Sequence, residues 1–362
     1  MAQFLGFGDG SDGAATLSGT DAPIDSSCSG TSGSTSLSAT NGSFAAGQII
    51  LIHQSRGSTA GNWEINQIGA YSAGTITTSL PLANTYTDSG ADQAQVLVLK
   101  QYTSVTVSGT FSAKAWDGNV GGILGFLASG KVTVTGKIEA GDLGAGEGYS
   151  TVNQGFMGAT TQGGQGEGTV GTRNSVNGAA NGSGGGGGAG AQGGGAGGGN
   201  ATAGTNGAVG SGTAGGTGGL SSGSSDLTTM TFGGGGGRGG AASGEGGYGG
   251  GIIIIYADQI DCSAGTIEAQ GSDGQVGASP GAGGGGGAGG SIFIKTKNGT
   301  IGTNKIIAKG GNGGAGGGGG AGGAGSDGRI RIEACSLSGS SNPSASEQLG
   351  GHSFCTVKHG IL

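Results

Sequence analysis

Five short apolar runs share one pattern of positions: Val96-Leu97-Val98-Leu99, Ile123-Leu124-Gly125-Phe126, Ile252-Ile253-Ile254-Ile255, Ser291-Ile292-Phe293-Ile294 and Arg329-Ile330-Arg331-Ile332. Fourteen residues after each of the first four runs begins, a second short stretch follows: Thr110-Phe111-Ser112-Ala113, Lys137-Ile138-Glu139-Ala140, Thr266-Ile267-Glu268-Ala269 and Lys305-Ile306-Ile307-Ala308. Repetition at fixed spacing predicts stacked β-strand units, none of which buries a face alone. Strand alternation assigns Leu97, Leu124, Ile253, Ile292 and Ile330 to one inward column, and Leu99, Phe126, Ile255, Ile294 and Ile332 to another. The column between them reads Val98, Gly125, Ile254, Phe293, Arg331, so the middle strands are expected to be covered on both faces. Arg331 marks the truncated fifth copy as a solvated cap.

Upstream, from Met1 to about Asp92, strand candidates at Gln48–His53, Trp63–Ile65 and Gly74–Thr78 are separated by small polar turns. They predict an antiparallel β module with Trp63 as a core anchor. The expected architecture is all-β, with almost no α-helix. It comprises an N-terminal module (1–92), first repeat copies (93–140), a glycine-rich insertion (141–251), repeats with shorter glycine-rich excursions (252–338) and a C-terminal tail (339–362). The stack itself reads as β-helix or sandwich-like.

Glycine supplies 99 of the 362 residues, and the glycine tracts have a period of three. Gly310, Gly313, Gly316, Gly319, Gly322, Gly325 and Gly328 keep one frame; Gly204, Gly207, Gly210, Gly216 and Gly219 keep another, broken by Thr213. Disorder is one reading of such composition, since glycine loses the most entropy on ordering. Three residues per turn is also the repeat of the extended polyproline-II helix, which has no internal hydrogen bonds and must pair its peptide groups with neighbours. The period therefore predicts a bundle of polyglycine-II helices, with alanine, serine and threonine on outward corners.

Only four prolines occur, which excludes a collagen triple helix. The net charge of −7 excludes a broad basic surface for nucleic acid or anionic lipid. The longest aliphatic run, Ile252–Ile255, is far too short to span a bilayer as a helix. The start, Met1-Ala2-Gln3-Phe4-Leu5-Gly6, has no basic and apolar leader pattern; release by lysis and prior removal of a leader both fit. Cys28, Cys262, Cys335 and Cys355 match no metal spacing. Cys335 with Cys355 is the favoured disulfide because it closes a short loop; reduced, buried cysteines are the alternative.

Catalytic signals are sparse. His53, His352 and His359 are not spaced as metal ligands, and no phosphate loop is present. Gly219–Gly223 and Gly277–Gly281 match Gly-x-Ser-x-Gly without the strand-turn-helix context that a nucleophile elbow requires. Glu139 and Glu268 occupy equivalent repeat positions, and paired carboxylates are the glycosidase arrangement, but alternation places them outward on a solvated edge. Calcium is the one cofactor left open, at the Asp-Gly turns near Asp9, Asp12, Asp273 and Asp327. The binding candidates are apolar residues that interrupt the glycine pattern: Tyr149, Phe156, Met157, Leu220, Leu227, Met230 and Phe232. They read either as recognition anchors on loops or as seals between the bundle and the β-stack.

The ordered string Gly61-Asn62-Trp63-Glu64, Pro81-Leu82-Ala83-Asn84-Thr85-Tyr86, Gln93-Ala94-Gln95-Val96, Gln101–Val107, Ala115-Trp116-Asp117-Gly118 and Gly121-Gly122 resembles a module of glycine-rich bacterial surface proteins and phage-derived sequences. It covers roughly residues 45–140. Members of that group often continue with a glycine tract opened by an aromatic and an arginine, where this chain has Gly141-Asp142-Leu143-Gly144. The glycine-rich portion is similar in composition to tail-tip adhesins of T-even-like phages. That resemblance implies a polyglycine-II bundle carrying receptor-binding loops. The expectation is a non-catalytic extracellular structural or adhesive protein of a cell or virion surface, with a host-cell receptor or copies of itself as partner. A self-assembling filament or sheath subunit is the alternative, and an ice-binding protein a lesser one.

Overall fold

The computed structural model describes residues 6–141, 156–159, 163–171, 178–240, 244–350 and 354–355. Its regular structure is all β, and no α-helix occurs among the described residues. Strands β1 (Ala14–Thr16) and β2 (Gly19–Thr20) open the chain and are followed by β3 (Asp25–Gly30), β4 (Ser36–Ala39), β5 (Ile49–Arg56), β6 (Trp63–Ser72), β7 (Thr75–Thr78) and β8 (Gln93–Tyr102). Antiparallel pairing runs β3–β4–β7–β6–β5–β8 and returns from β8 to β3, so the N-terminal module closes as a six-stranded barrel. Closure removes the free edges of these strands. Alternation explains its core: Ile50, Ile52, Val96 and Val98 fill the barrel with Leu37, Ile76 and Tyr86. Ile49, Leu51, Leu97 and Leu99 face the other way and pack on the rest of the molecule. Trp63 is therefore not a core anchor of the module. It is half-buried on the outer side, edge-on to Phe293 at 5.9 Å, with its indole N–H donating to Leu227 O at 2.8 Å.

The second body is a parallel stack. Strands β9 (Ser104–Val107), β10 (Thr110–Ser112), β11 (Ile123–Val134), β12 (Lys137–Glu139), β13 (Ile252–Asp261), β14 (Thr266–Glu268), β15 (Ser291–Ile307), β16 (Arg329–Asn342) and β17 (Ser346–Leu349) complete the chain. One parallel ladder runs β1–β9–β11–β13–β15–β16–β17, and a shorter one β2–β10–β12–β14 ends on β15. The barrel is thus an insertion between the first coil (β1, β2) and the second (β9, β10).

Four copies stack in the expected register: Leu124 opposite Ile253, Ile253 opposite Ile292 and Ile292 opposite Ile330. Phe126, Ile255, Ile294 and Ile332 form the second column, and all eight side chains are buried together. The first copy departs from it. Phe126 faces Lys100 rather than Leu99, and residues 93–99 of β8 belong to the barrel. A one-residue slip exchanges the faces of a strand, so Leu97 and Leu99 lie outside the inward columns. Nor is β16 the terminal strand, because β17 pairs with Arg331–Ala334. Part of the expected tail is therefore sheet.

Three glycine-rich excursions leave the ends of β12, β14 and β15 and return at the start of the next coil. The stretch Gly281–Gly290 is fully buried and lies at their centre. Its donors advance in steps of three. Gly283, Gly286 and Gly289 donate to Gly320, Gly323 and Ser326; Gly284 and Gly287 to Gln275 and Ser272; Gly285 and Ala288 to Gly237 and Gly234, all at 2.8–3.0 Å. Three further stretches donate to it, through Gly195 and Gly198, through Gly244 and Gly247, and through Gly311 and Gly314. Six neighbours surround one segment. A Cβ added at Gly284, Gly285 or Gly286 would meet a carbonyl oxygen at 1.9, 1.9 or 2.2 Å, which is why these positions are glycine.

Candidate functional site

The apolar interruptions gather at the foot of the glycine bundle. Phe156, Leu227, Met230 and Phe232 are fully buried and share one cluster with Trp116, Ile252 and Ile254 on the outer face of the stack. Phe232 lies 5.3 Å from the Trp116 ring and 5.2 Å from Phe156, and tilts toward His53 at 5.7 Å. Met157 is half-buried beside them. Phe156, Leu227, Met230 and Phe232 seal the bundle onto the two β bodies and are enclosed there rather than exposed on loops. In a chain with few aromatics, burying each one contributes more than leaving it on a loop. Tyr149 lies outside the described residues. Leu220 is exposed.

Buried polar groups fasten the same joint. Arg56 of β5 pairs with Glu167 of the bundle, and both side chains are almost wholly enclosed. Glu167 Oε2 also accepts from the Trp116 indole at 3.1 Å and from the Met157 amide at 3.0 Å. These added donors stabilise a carboxylate that would otherwise be costly to bury. His53 Nε2 lies 2.7 Å from Met230 O and its Nδ1 lies 3.0 Å from Ser55 Oγ; Ser55 accepts from Gln95, which in turn bonds to Gly121. Burial pushes the imidazole down to about 4. No motif announced these contacts, because their partners are far apart in sequence.

Glu139 and Glu268 are direct neighbours on β12 and β14. They point away from Ile138 and Ile267, as alternation requires, but the edge is not solvated: both are buried. Ser112 donates to Glu139 at 2.6 Å, Lys137 lies 3.3 Å from Glu268, and Gln270 donates to Glu268 at 2.9 Å. Burial raises the Glu139 carboxyl above its ordinary range. The pair is internal to the stack rather than open to a saccharide.

Among the described residues, no group of three or more His, Cys, Asp or Glu side chains is placed to hold a metal ion. Asp273 accepts from the Asn312 amide at 2.6 Å, and Asp327 pairs with Lys309 at 2.9 Å, so these turn carboxylates brace adjacent glycine segments. Asp9 accepts from the Ser11 amide, and Asp12 pairs with Lys100. His352 and His359 lie outside the described residues. Cys335 and Cys355 are joined by a disulfide, while Cys28 and Cys262 are free and buried.

What the bundle does expose is a group of turns between its segments. Val209, Ser211 and Gly212 are exposed in one, and Val276, Ala278, Ser279 and Pro280 in another; the two valines are 69% and 67% exposed. The Gly316–Gly320 stretch lies between the two turns: a Cβ on Gly320 would meet Ala208 O at 2.1 Å, and one on Gly317 would meet Gly277 O at 2.3 Å. No charged side chain occurs in 189–192, 208–213, 276–281 or 316–320. The sequence pattern points to aromatic and methionine anchors and gives these small residues no distinguishing motif. The available signal was their position midway between glycine tracts.

No protein-family model and no curated protein matches the chain. Among solved structures, it is similar to the Gp54 tailspike of Acinetobacter baumannii bacteriophage AP22 in complex with A. baumannii capsular saccharide, at 11% identity and a TM-score of 0.21, covering 89% of this chain and 54% of that one. It is also similar to the tailspike protein gp49 from Pseudomonas phage LKA1, at 12% identity and a TM-score of 0.19, covering 94% and 64%. The chain thus spans between half and two thirds of each tailspike. Overlays this loose carry no functional argument. No helix among the described residues is long and apolar enough to cross a membrane.

Proposed function

We propose that the chain is a non-catalytic attachment protein of a virion or cell surface, in which a polyglycine-II bundle holds a cluster of uncharged turns away from a two-part β body. The observation that carries this reading is the six-neighbour hydrogen bonding around Gly281–Gly290, advancing three residues at a time. None of Gly281–Gly290 has a positive φ, in keeping with left-handed extended helices at about 3.1 Å per residue. The stretch from Ala269 to Val276 then carries the exposed turn about 20 Å from the stack. A scaffold whose interior is mostly glycine backbone and alanine has little to offer as a catalytic cleft. It gives its end turns a fixed spacing, which lowers the ordering cost of binding.

Labelled protein incubated with a panel of intact bacterial strains tests the proposal. Binding to a subset of strains is expected, reduced at least tenfold by Val209→Asp with Val276→Asp while the melting temperature holds. Unchanged binding by the double variant would overturn the assignment of the turns. Absence of binding to any strain, with polymers in electron micrographs, would replace attachment by filament assembly. Glycan cleavage lost on Glu139→Gln would overturn the non-catalytic reading.

A further inference from the structure

Away from the bundle, Phe7 and Phe354 converge on one face of β15 and β16. Lys295 and Lys297 alternate onto the same face of β15, and Lys295 stands opposite Glu333 of β16. Its ammonium is 3.2 Å from the Glu333 carboxylate, and its side chain is 4% exposed. It also lies 4.9 Å from the Tyr256 ring centroid and 5.8 Å from those of Phe293 and Phe354. Phe354 packs edge-on against Phe7 at 5.6 Å, and Lys297 sits over Phe7 at 5.6 Å. The next residue, Cys355, is bonded to Cys335 of β16.

We propose that the Cys335–Cys355 disulfide is a redox-controlled clasp: when oxidised it holds Phe354 over Lys295 and against Phe7, and when reduced it lets that face open. The balance of forces supports a tether-dependent cover. Aromatic and cation–π contacts at a half-exposed edge are individually weak. The tether makes them intramolecular, which raises the effective concentration of Phe354 at its site. The Tyr256 ring lies against the Lys295 ammonium, and its hydroxyl is buried without a hydrogen-bond partner among the described residues. Opening would hydrate both it and the Lys295 ammonium, so solvation favours the open form once the tether is gone. In the reducing interior of a producing cell the clasp would stand open, and it would close in an oxidising exterior. A dithiol opens it by exchange: the protein S–S bond breaks, two thiols form, and the reductant leaves as its own disulfide.

The test is amine acetylation of the full-length protein with an N-hydroxysuccinimide ester, before and after treatment with dithiothreitol, read by peptide mass mapping. Lys100, whose side chain is 52% exposed, serves as the internal reference. Reduction is expected to raise the labelling of Lys295 at least tenfold relative to Lys100 while the circular dichroism spectrum is retained. Phe354→Ala should raise it in the oxidised protein, where the disulfide is intact; Cys355→Ser should do so without reductant. Continued protection of Lys295 in reduced protein and in both variants would overturn the proposal. Loss of the whole β signal on reduction would do so too, since the bond would then be a global staple rather than a local clasp.

Discussion

His53 carries its neutral ring into an enclosed site, and burial holds its pKa at about 4 against an ordinary 6.5. The folded state therefore binds fewer protons than the unfolded chain between those values. Stability from this group is fully present above pH 6.5 and is lost as pH falls toward 4, by about 3 kcal/mol. Asp21 acts in the opposite sense. Burial, aided by the nearby Asp25, pushes its carboxyl up to about 6, so the stability it contributes is present below 3.8 and lost as pH rises through 6. Glu139 is raised by burial as well and adds to the Asp21 trend. Melting curves between pH 4 and 7 should separate the two signs. Asp21→Asn should raise the melting temperature at pH 7 and steepen the decline on acidification, whereas His53→Gln should flatten that decline. An Asp21→Asn protein that melts lower at pH 7 would contradict this assignment.

At the scale of elements, the stack and the bundle follow different rules. A coil strand tolerates any well-packed apolar side chain, whereas a glycine segment tolerates almost no side chain at all. At Gly285 an added methyl would meet Ala196 O at 1.9 Å, forcing apart backbones that pair through Gly195 N with Gly283 O and through Gly198 N with Gly286 O. Each buried peptide group left unpaired costs about 1–3 kcal/mol, so Gly285→Ala should destabilise by at least about 2 kcal/mol. Ala315, on an exposed corner, should accept serine within about 0.5 kcal/mol. Thermal melts of the two variants check the contrast, and equal melting temperatures would refute it. The columns from Leu124 to Ile330 were legible because two-residue alternation repeats through four copies. The first copy was not. Residues 96–99 are apolar on both faces, since one side fills the barrel and the other meets the stack, and a strand without alternation carries no register. Phe156 and Phe232 show the same limit for loops, because an apolar residue reads alike whether it seals a joint or awaits a partner. Three aromatics on neighbouring segments, Trp116, Phe156 and Phe232, were the available hint, since an aromatic-poor chain gains most by bringing them together.

Taken whole, the molecule has two conventional cores and one unconventional body. The barrel and the stack bury aliphatic side chains in the ordinary way, and the sealing cluster around Phe232 bonds both to the bundle. The bundle buries almost no side chain, so its order rests on peptide hydrogen bonds and close backbone contact. Everything proposed for the exposed turns depends on that order, because a flexible glycine spacer would present Val209 and Val276 at no fixed separation. Hydrogen exchange of the native protein, resolved by peptide mass mapping across residues 281–290, measures it directly. Amides in all three frames of this stretch are expected to exchange as slowly as those of β13 and β15. Exchange at the rate of an unstructured glycine chain, with β13 and β15 still protected, would show that the bundle does not exist in solution.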